Sequence, residues 1–264
     1  MTAIRVLFQR ELLRFVRQRS RMIAVIVSPM LFWIVIGSGL NRSFHYPGSS
    51  GAMTYLEYFY PGTLVLVVLF ASIFSSISII EDRRDGFLQS VLVAPISRAG
   101  IVLGKVAGIT VLAALQGAVF LAAAPAVIDS TTAGSMVLTF VLLLVVAFGL
   151  SSLGFLIAWS MDSTQGFHAV MNLLLVPMWL LSGALFPVSG SSPWVAEVMR
   201  WNPLTYGVAA TRRALYGLAP GAGADLPGFG TSFLVLSLFT IIVLTVAIRR
   251  VHKRTTSAPM QNEP

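Results

Sequence analysis

Cysteine is missing from this sequence, charge is scarce at 11% of residues, and histidine occurs three times. Each shortage removes a class of chemistry. Without cysteine there is no disulfide framework, no thiolate metal site and no cysteine nucleophile. Soluble domains carry about 25% charged residues, and less than half that level leaves too few charges to cover a water-facing surface. The histidines, His45, His168 and His252, stand in separate connections, so they do not form a shared metal site. No phosphate loop is present: Gly104-Lys105-Val106 is the nearest fragment to G-x-x-x-x-G-K-[ST] and lacks the rest. The patterns H-E-x-x-H and G-x-S-x-G are also absent.

What is present is hydrophobic. Apolar residues make up 56% of 264 residues, and the mean hydropathy is +0.83. These values describe an all-α integral membrane protein with one membrane domain over residues 1–264. The net charge of +8 does not point to nucleic acid, because the basic residues cluster beside apolar runs and anionic lipid headgroups.

The order along the chain follows from the spacing. Residues 1–21 read as a basic amphipathic interfacial helix, with Arg10, Arg14, Arg17 and Arg21 on one stripe and Ile4, Phe8, Leu12 and Phe15 opposite. Six spans are expected within residues 22–248. They run over Met22–Leu40, Tyr60–Ile80, Ile101–Val127, Met136–Trp159, Ala169–Phe186 and Thr231–Ile248. The predicted third span has Lys105 snorkelling at its inner end. Residues 249–264 are a basic cluster and a polar tail. Between the fifth and sixth spans, Trp194–Arg200 and Leu204–Leu218 have helical length but are too short to span, and read as re-entrant or interfacial helices.

Six basic residues precede the first span, four lie between the second and third, and four follow the last. They are fourteen of the eighteen lysines and arginines, so the positive-inside rule places both termini in the cytoplasm. Only Arg42, Arg200, Arg212 and Arg213 fall on the other side.

The densest charge cluster, Glu81-Asp82-Arg83-Arg84-Asp85, lies between the second and third apolar runs and must face water. Leu88, Val91 and Leu92 follow at i, i+3 and i+4, and Pro95 ends the pattern. The spacing predicts a short helix with a greasy edge at the membrane surface. Within the spans only mild polarity remains. Ser76 (with Ser75 and Ser78), Gln116 and Asn172 are the candidate path-lining residues. The competing assignment is interhelical hydrogen bonding, worth about 0.6 kcal/mol per contact. Gly104 and Gly108 form a G-x-x-x-G pair suited to close helix packing. Lys105 is the one ionisable group expected inside a span. That argues against proton-coupled transport or intramembrane hydrolysis, so energy for transport must come from elsewhere.

Taken together, the chain resembles the permease subunit of type 2 ABC exporters. The resemblance rests on Glu81…Arg84…Gly86…Leu88…Leu92…Pro95…Gly104-Lys105, on Leu181-Ser182-Gly183-Ala184-Leu185-Phe186-Pro187, and on Asn202-Pro203-Leu204-Thr205-Tyr206 followed by Arg212. It departs at Phe87 and Gln89, where the family often shows Thr and Glu. The resemblance implies that Glu81, Arg83, Arg84, Gly86, Leu88, Leu92 and Pro95 belong to a cytoplasmic coupling helix that docks on a separate ATPase subunit. It makes the N-terminal helix a connecting helix. It makes Phe186, Pro187, Asn202, Pro203, Tyr206 and Arg212 part of outer re-entrant helices capping the exit. It further implies a unit of two permeases, the second a copy or a paralogue, and two ATPases in a bacterial plasma membrane. ATP and magnesium would sit on the ATPase, with no cofactor on this chain and no enzyme activity of its own. The cargo would be an amphipathic drug, a lipid-linked molecule or a saccharide. A self-contained carrier and a non-transporting scaffold are the alternatives. A carrier would be expected to show internal repeats or intramembrane charge.

Overall fold

The computed structural model describes residues 2–17, 19–41, 53–94, 96–217 and 227–256. Pro95, expected to stop the coupling helix, lies outside the described residues, as do the side chains of Arg14 and Arg17. Every described element is helical: α1 Thr2–Arg17, α2 Arg19–Leu40, α3 Tyr55–Arg84, α4 Phe87–Val93, α5 Arg98–Leu121, α6 Ala133–Trp159, α7 Thr164–Leu180, α8 Pro193–Trp201, α9 Pro203–Tyr216 and α10 Phe229–Thr256. Among the described residues four helices are long and apolar enough to cross a membrane: α3, α5 with the turn after it, α6 and α10. Val27–Leu40 of α2 is a shorter apolar stretch.

Helix α3 is the axis of the bundle, with 89% of its apolar stretch buried against 28% for α10. Its start is fixed by a capping box: the Thr54 hydroxyl accepts from the Glu57 amide, and the Glu57 carboxylate accepts from the Thr54 amide. Pro61 removes the amide that would serve the Glu57 carbonyl. The Tyr216 hydroxyl donates to that carbonyl instead, at 2.7 Å, tying α9 to α3. At the other end the chain turns through Gly86, whose φ of 73° lies in the left-handed region that suits glycine, and α4 begins at once.

The boundaries correct three expectations. The charged residues Glu81–Arg84 belong not to the short surface helix but to the last turn of α3, because nothing in that run breaks a helix before Gly86. Helix α7 ends at Leu180 rather than continuing to Phe186, and residues 181–186 form a turn. Helix α10 carries the basic cluster Arg249–Lys253 as its own continuation.

Buried hydroxyls in the spans do not cross-link helices as a rule. Ser76, Thr110, Ser152 and Thr240 each donate to the carbonyl four residues back, while the buried hydroxyls of Ser72, Ser75, Thr139 and Ser151 have no partner among the described residues.

Candidate functional site

The inner logic of the site is at the α4 end of the bundle, where α1, α3 and α5 converge. Gly108 lets α1 lie directly on α5: a Cβ there would stand 2.9 Å from the Glu11 Cβ. That close seat brings Glu11, 3% exposed, against Lys105, 1% exposed. The Lys105 ammonium donates to the Glu11 carboxylate and to the Asp82 carboxylate. Asp82 is fully buried and also accepts from the Arg10 guanidinium at 2.7 Å. The Ser78 hydroxyl donates to the second Glu11 oxygen at 2.8 Å. Two cations and two carboxylates thus neutralise one another across three helices. This is the arrangement that makes buried charge tolerable. The hydrogen bond to Asp82 pushes the Arg10 guanidinium pKa up, against the opposing effect of burial.

Arg10 does a second job. Its guanidinium carbon lies 3.6 Å from the centre of the Phe87 ring, the first residue of α4. Leu7 of α1, Val91 of α4 and Ile101 of α5 close a small apolar cluster beside it, with Leu92 and Ile96 at its edge. Leu88 packs into the main core. The greasy edge of α4 therefore faces the bundle. Its exposed side carries Gln89, Ser90 and Val93, next to Arg84 and Asp85; Val93 is 87% exposed.

Arg83 fastens the same end to the turn between α6 and α7. It donates to the Trp159 carbonyl at 2.6 Å, to the Met161 carbonyl at 3.1 Å and to the Asp162 carboxylate at 2.9 Å. A cation at a helix C-terminus meets the negative end of the dipole there.

At the opposite end, Arg212 of α9 is 1% exposed. It donates to the carbonyls of Tyr58 and Gly183, both at 3.1 Å, and its guanidinium lies 4.1 Å over the Tyr58 ring. Its Nε and Nη1 have no hydrogen-bond partner among the described residues. Asn202 caps α9 through the Leu204 amide, while its Nδ2 donates to the Met178 and Leu181 carbonyls. Tyr206 donates to the Arg200 carbonyl at 2.8 Å.

The ABC-2 type transporter family model matches residues 2–216, from the first turn of α1 to the end of α9. The chain belongs to the ABC-2 type transporter family. Its relatives include the transport permease ycf38 of Cyanophora paradoxa, 30% identical over 243 residues, covering 89% of this chain and 79% of that protein. Nodulation protein J of Neorhizobium galegae is 24% identical over 237 residues, covering 88% and 85%. The multidrug ABC transporter permease YbhR of Escherichia coli is 30% identical over 144 residues, covering 53% and 38%. The chain is thus a multi-pass membrane permease subunit of an ABC-type transporter, a family that works with an ABC ATPase subunit.

Within this ABC-2 permease the predicted residues fall into separate groups. Arg10, Arg83, Arg84, Gly86, Leu88 and Leu92 gather at the α4 end with Glu81. Pro187, Asn202, Pro203, Tyr206 and Arg212 gather at the opposite end, where Phe186 is 36% exposed. The candidate path residues do not come together: Ser76 and Gln116 are buried, whereas Asn172 is exposed on α7. Gln116 bonds within its own helix, to the Leu112 carbonyl. Between α2, α3 and α7 lies an apolar pocket of about 270 Å³ walled by Pro29, Phe32, Phe70 and Trp179.

Lys105 does not snorkel, and Arg212 is buried as well. Lys105 is held by carboxylates of α1 and α3, and Arg212 by the carbonyls of Tyr58 on α3 and Gly183 in the turn after α7. Glu11 and Asp82 were not singled out from the sequence. One signal was available: Glu11 is the lone acid in a basic helix, and Lys105 the lone charge in the apolar run Ile101–Val127.

Proposed function

We propose that this chain is the path-forming permease subunit of an ATP-driven exporter, moved by a separate ABC ATPase that docks on the exposed side of α4. The observation that carries this reading is the construction of the α4 end. Its apolar edge and four mutually paired charges, three of them buried, lock α1, α3, α4 and α5 into one joint, while Arg84, Asp85, Gln89, Ser90 and Val93 are exposed. A rigid joint with one free polar face suits a lever: closure of the ATPase at that face moves three helices together, a rigid-body switch. Arg83 extends the joint to the α6–α7 turn.

In this reading the α4 end and both termini are cytoplasmic, and ATP and magnesium belong to the ATPase. A second permease completes the path, with Asn172 on an exposed face of α7 and the pocket at Phe32, Phe70 and Trp179 beside it. The apolar pocket and sparse polar groups favour an amphipathic or lipid-linked cargo.

The test is co-purification from native membranes in mild detergent. The expected result is an ABC ATPase in equal amount, lost or weakened in Arg84→Ala while the permease still inserts. Purification of the intact permease without an ATPase would favour a self-contained carrier or a scaffold.

A further inference from the structure

Four backbone carbonyls near the start of α3 accept from side chains of other helices. The Leu56 carbonyl accepts from the Trp33 indole of α2 at 3.0 Å, and the Gly62 carbonyl from the Trp179 indole of α7 at 2.9 Å. The Glu57 and Tyr58 carbonyls accept from Tyr216 and Arg212 of α9, at 2.7 Å and 3.1 Å. The two α9 donors stand at i and i+4, on one face, and reach consecutive carbonyls. A carbonyl inside a helix is ordinarily spent on the amide four residues on. Pro61 has no amide, so the Glu57 carbonyl is vacated, and it takes the shortest of the four bonds.

Bonds to a backbone transmit motion differently from contacts between side chains. A side chain can change rotamer and leave its helix still, whereas a carbonyl moves with the helix that carries it. Asp82, in the paired charge set, and Pro61 lie about 32 Å apart along one unbroken helix. Helix α3 therefore runs from the joint at α4 to the segment where α2, α7 and α9 are fastened. Close packing tightens the same segment: a Cβ on Gly62 would stand 2.5 Å from the Ala184 Cβ, in the turn after α7.

We propose that Tyr216 is a positioning residue for transport. Its bond to the carbonyl vacated by Pro61 makes α9 follow α3, so that movement started at α4 reaches the far end of the bundle. The coupling rests on the docking of an ATPase at α4 proposed above.

The experiment is hydrogen exchange, read by mass spectrometry, on the permease with its co-purified ATPase, before and after addition of ATP and vanadate. Slower exchange of α4 in the complex reports docking. The change in α9 exchange on adding ATP and vanadate reports coupling. In the wild type that change is expected to be about threefold or more. Tyr216→Phe is expected to abolish it while α4 stays protected. The double variant Pro61→Ala, Tyr216→Phe restores an amide to the Glu57 carbonyl, so it should recover the wild-type unfolding midpoint and still show no α9 response. A full α9 response in Tyr216→Phe would overturn the proposal, as would a wild type with α4 protected and α9 unresponsive. Return of the response in the double variant would overturn it too, because the hydroxyl would then only fill a vacated carbonyl. Failure of the docking reading looks different: α4 would be unprotected in the wild type itself, and the coupling would fall with its drive.

Discussion

Both ends of the bundle bury a basic side chain, and they solve the problem in opposite ways. Lys105 meets two carboxylates from two other helices, with a guanidinium closing the set. Among the described residues Arg212 meets two backbone carbonyls and a tyrosine ring, and no carboxylate. The first solution is specific: all four charges must be present, and each comes from a defined position on α1, α3 or α5. The second is permissive, since carbonyl dipoles and a ring face hold any group of suitable shape and positive charge. The α4 end is therefore built as a joint that ties α1, α3 and α5 together, and the opposite end as a clasp that holds a turn against α3. The difference matches the proposed roles, a lever at one end and a cap at the other.

Breaking the joint separates the two ends most sharply. Lys105→Met leaves Glu11 and Asp82 with a single cation, and removing one member of a buried ionic set costs about 3–5 kcal/mol. The expected outcome is a much lower unfolding midpoint in detergent. Adding Glu11→Gln to the same chain leaves Asp82 paired with Arg10 and no orphaned charge, and is expected to recover most of the loss, measured the same way. Arg212→Met is expected to cost less, about 1–3 kcal/mol, the scale of charged hydrogen bonds and a cation–π contact. The Gly183 carbonyl keeps the Tyr58 hydroxyl at 3.0 Å, so that carbonyl is not left bare. An equal loss in the two variants would erase the distinction between joint and clasp.

Gly108→Ala tests the seat of α1. Its new Cβ would stand 2.9 Å from the Glu11 Cβ and 3.5 Å from the Phe8 carbonyl. Overpacking of this kind costs about 1–3 kcal/mol, and the loss should appear in thermal unfolding together with weaker protection of α1 from proteolysis. Arg83→Ala is the mildest change. Asp162 is 81% exposed, and such ion pairs contribute about 0–1 kcal/mol. The part-buried bonds to the Trp159 and Met161 carbonyls go with it, so the expected cost is about 1 kcal/mol, while stimulation of the ATPase falls because the α6–α7 turn is released.

The class of the protein, the short helix after the second apolar run and the two helices before the last span were all legible in composition and periodicity. Boundaries at charge clusters were not. Glu81–Arg84 was read as water-facing because charge in hydrocarbon is costly, yet Asp82 is buried: its partners come from residues 10 and 105, and a pairing that distant leaves no local trace. Lys105 was misplaced for the same reason. Leu88 and Leu92 were correctly placed on one face of a helix. Periodicity gives a face but not its direction, and the face turns inward, which moves the free surface to Gln89, Ser90 and Val93.

Because the chain has no cysteine, a single introduced thiol is unique. The decisive measurement is thiol cross-linking to the co-purified ATPase from four single variants: Gln89→Cys and Val93→Cys on the free side of α4, Leu88→Cys on its buried side, and Val198→Cys at the cap end. The account predicts cross-links from positions 89 and 93 and none from 88 or 198. Cross-links from 198 with none from α4 would place the ATPase at the wrong end and contradict it.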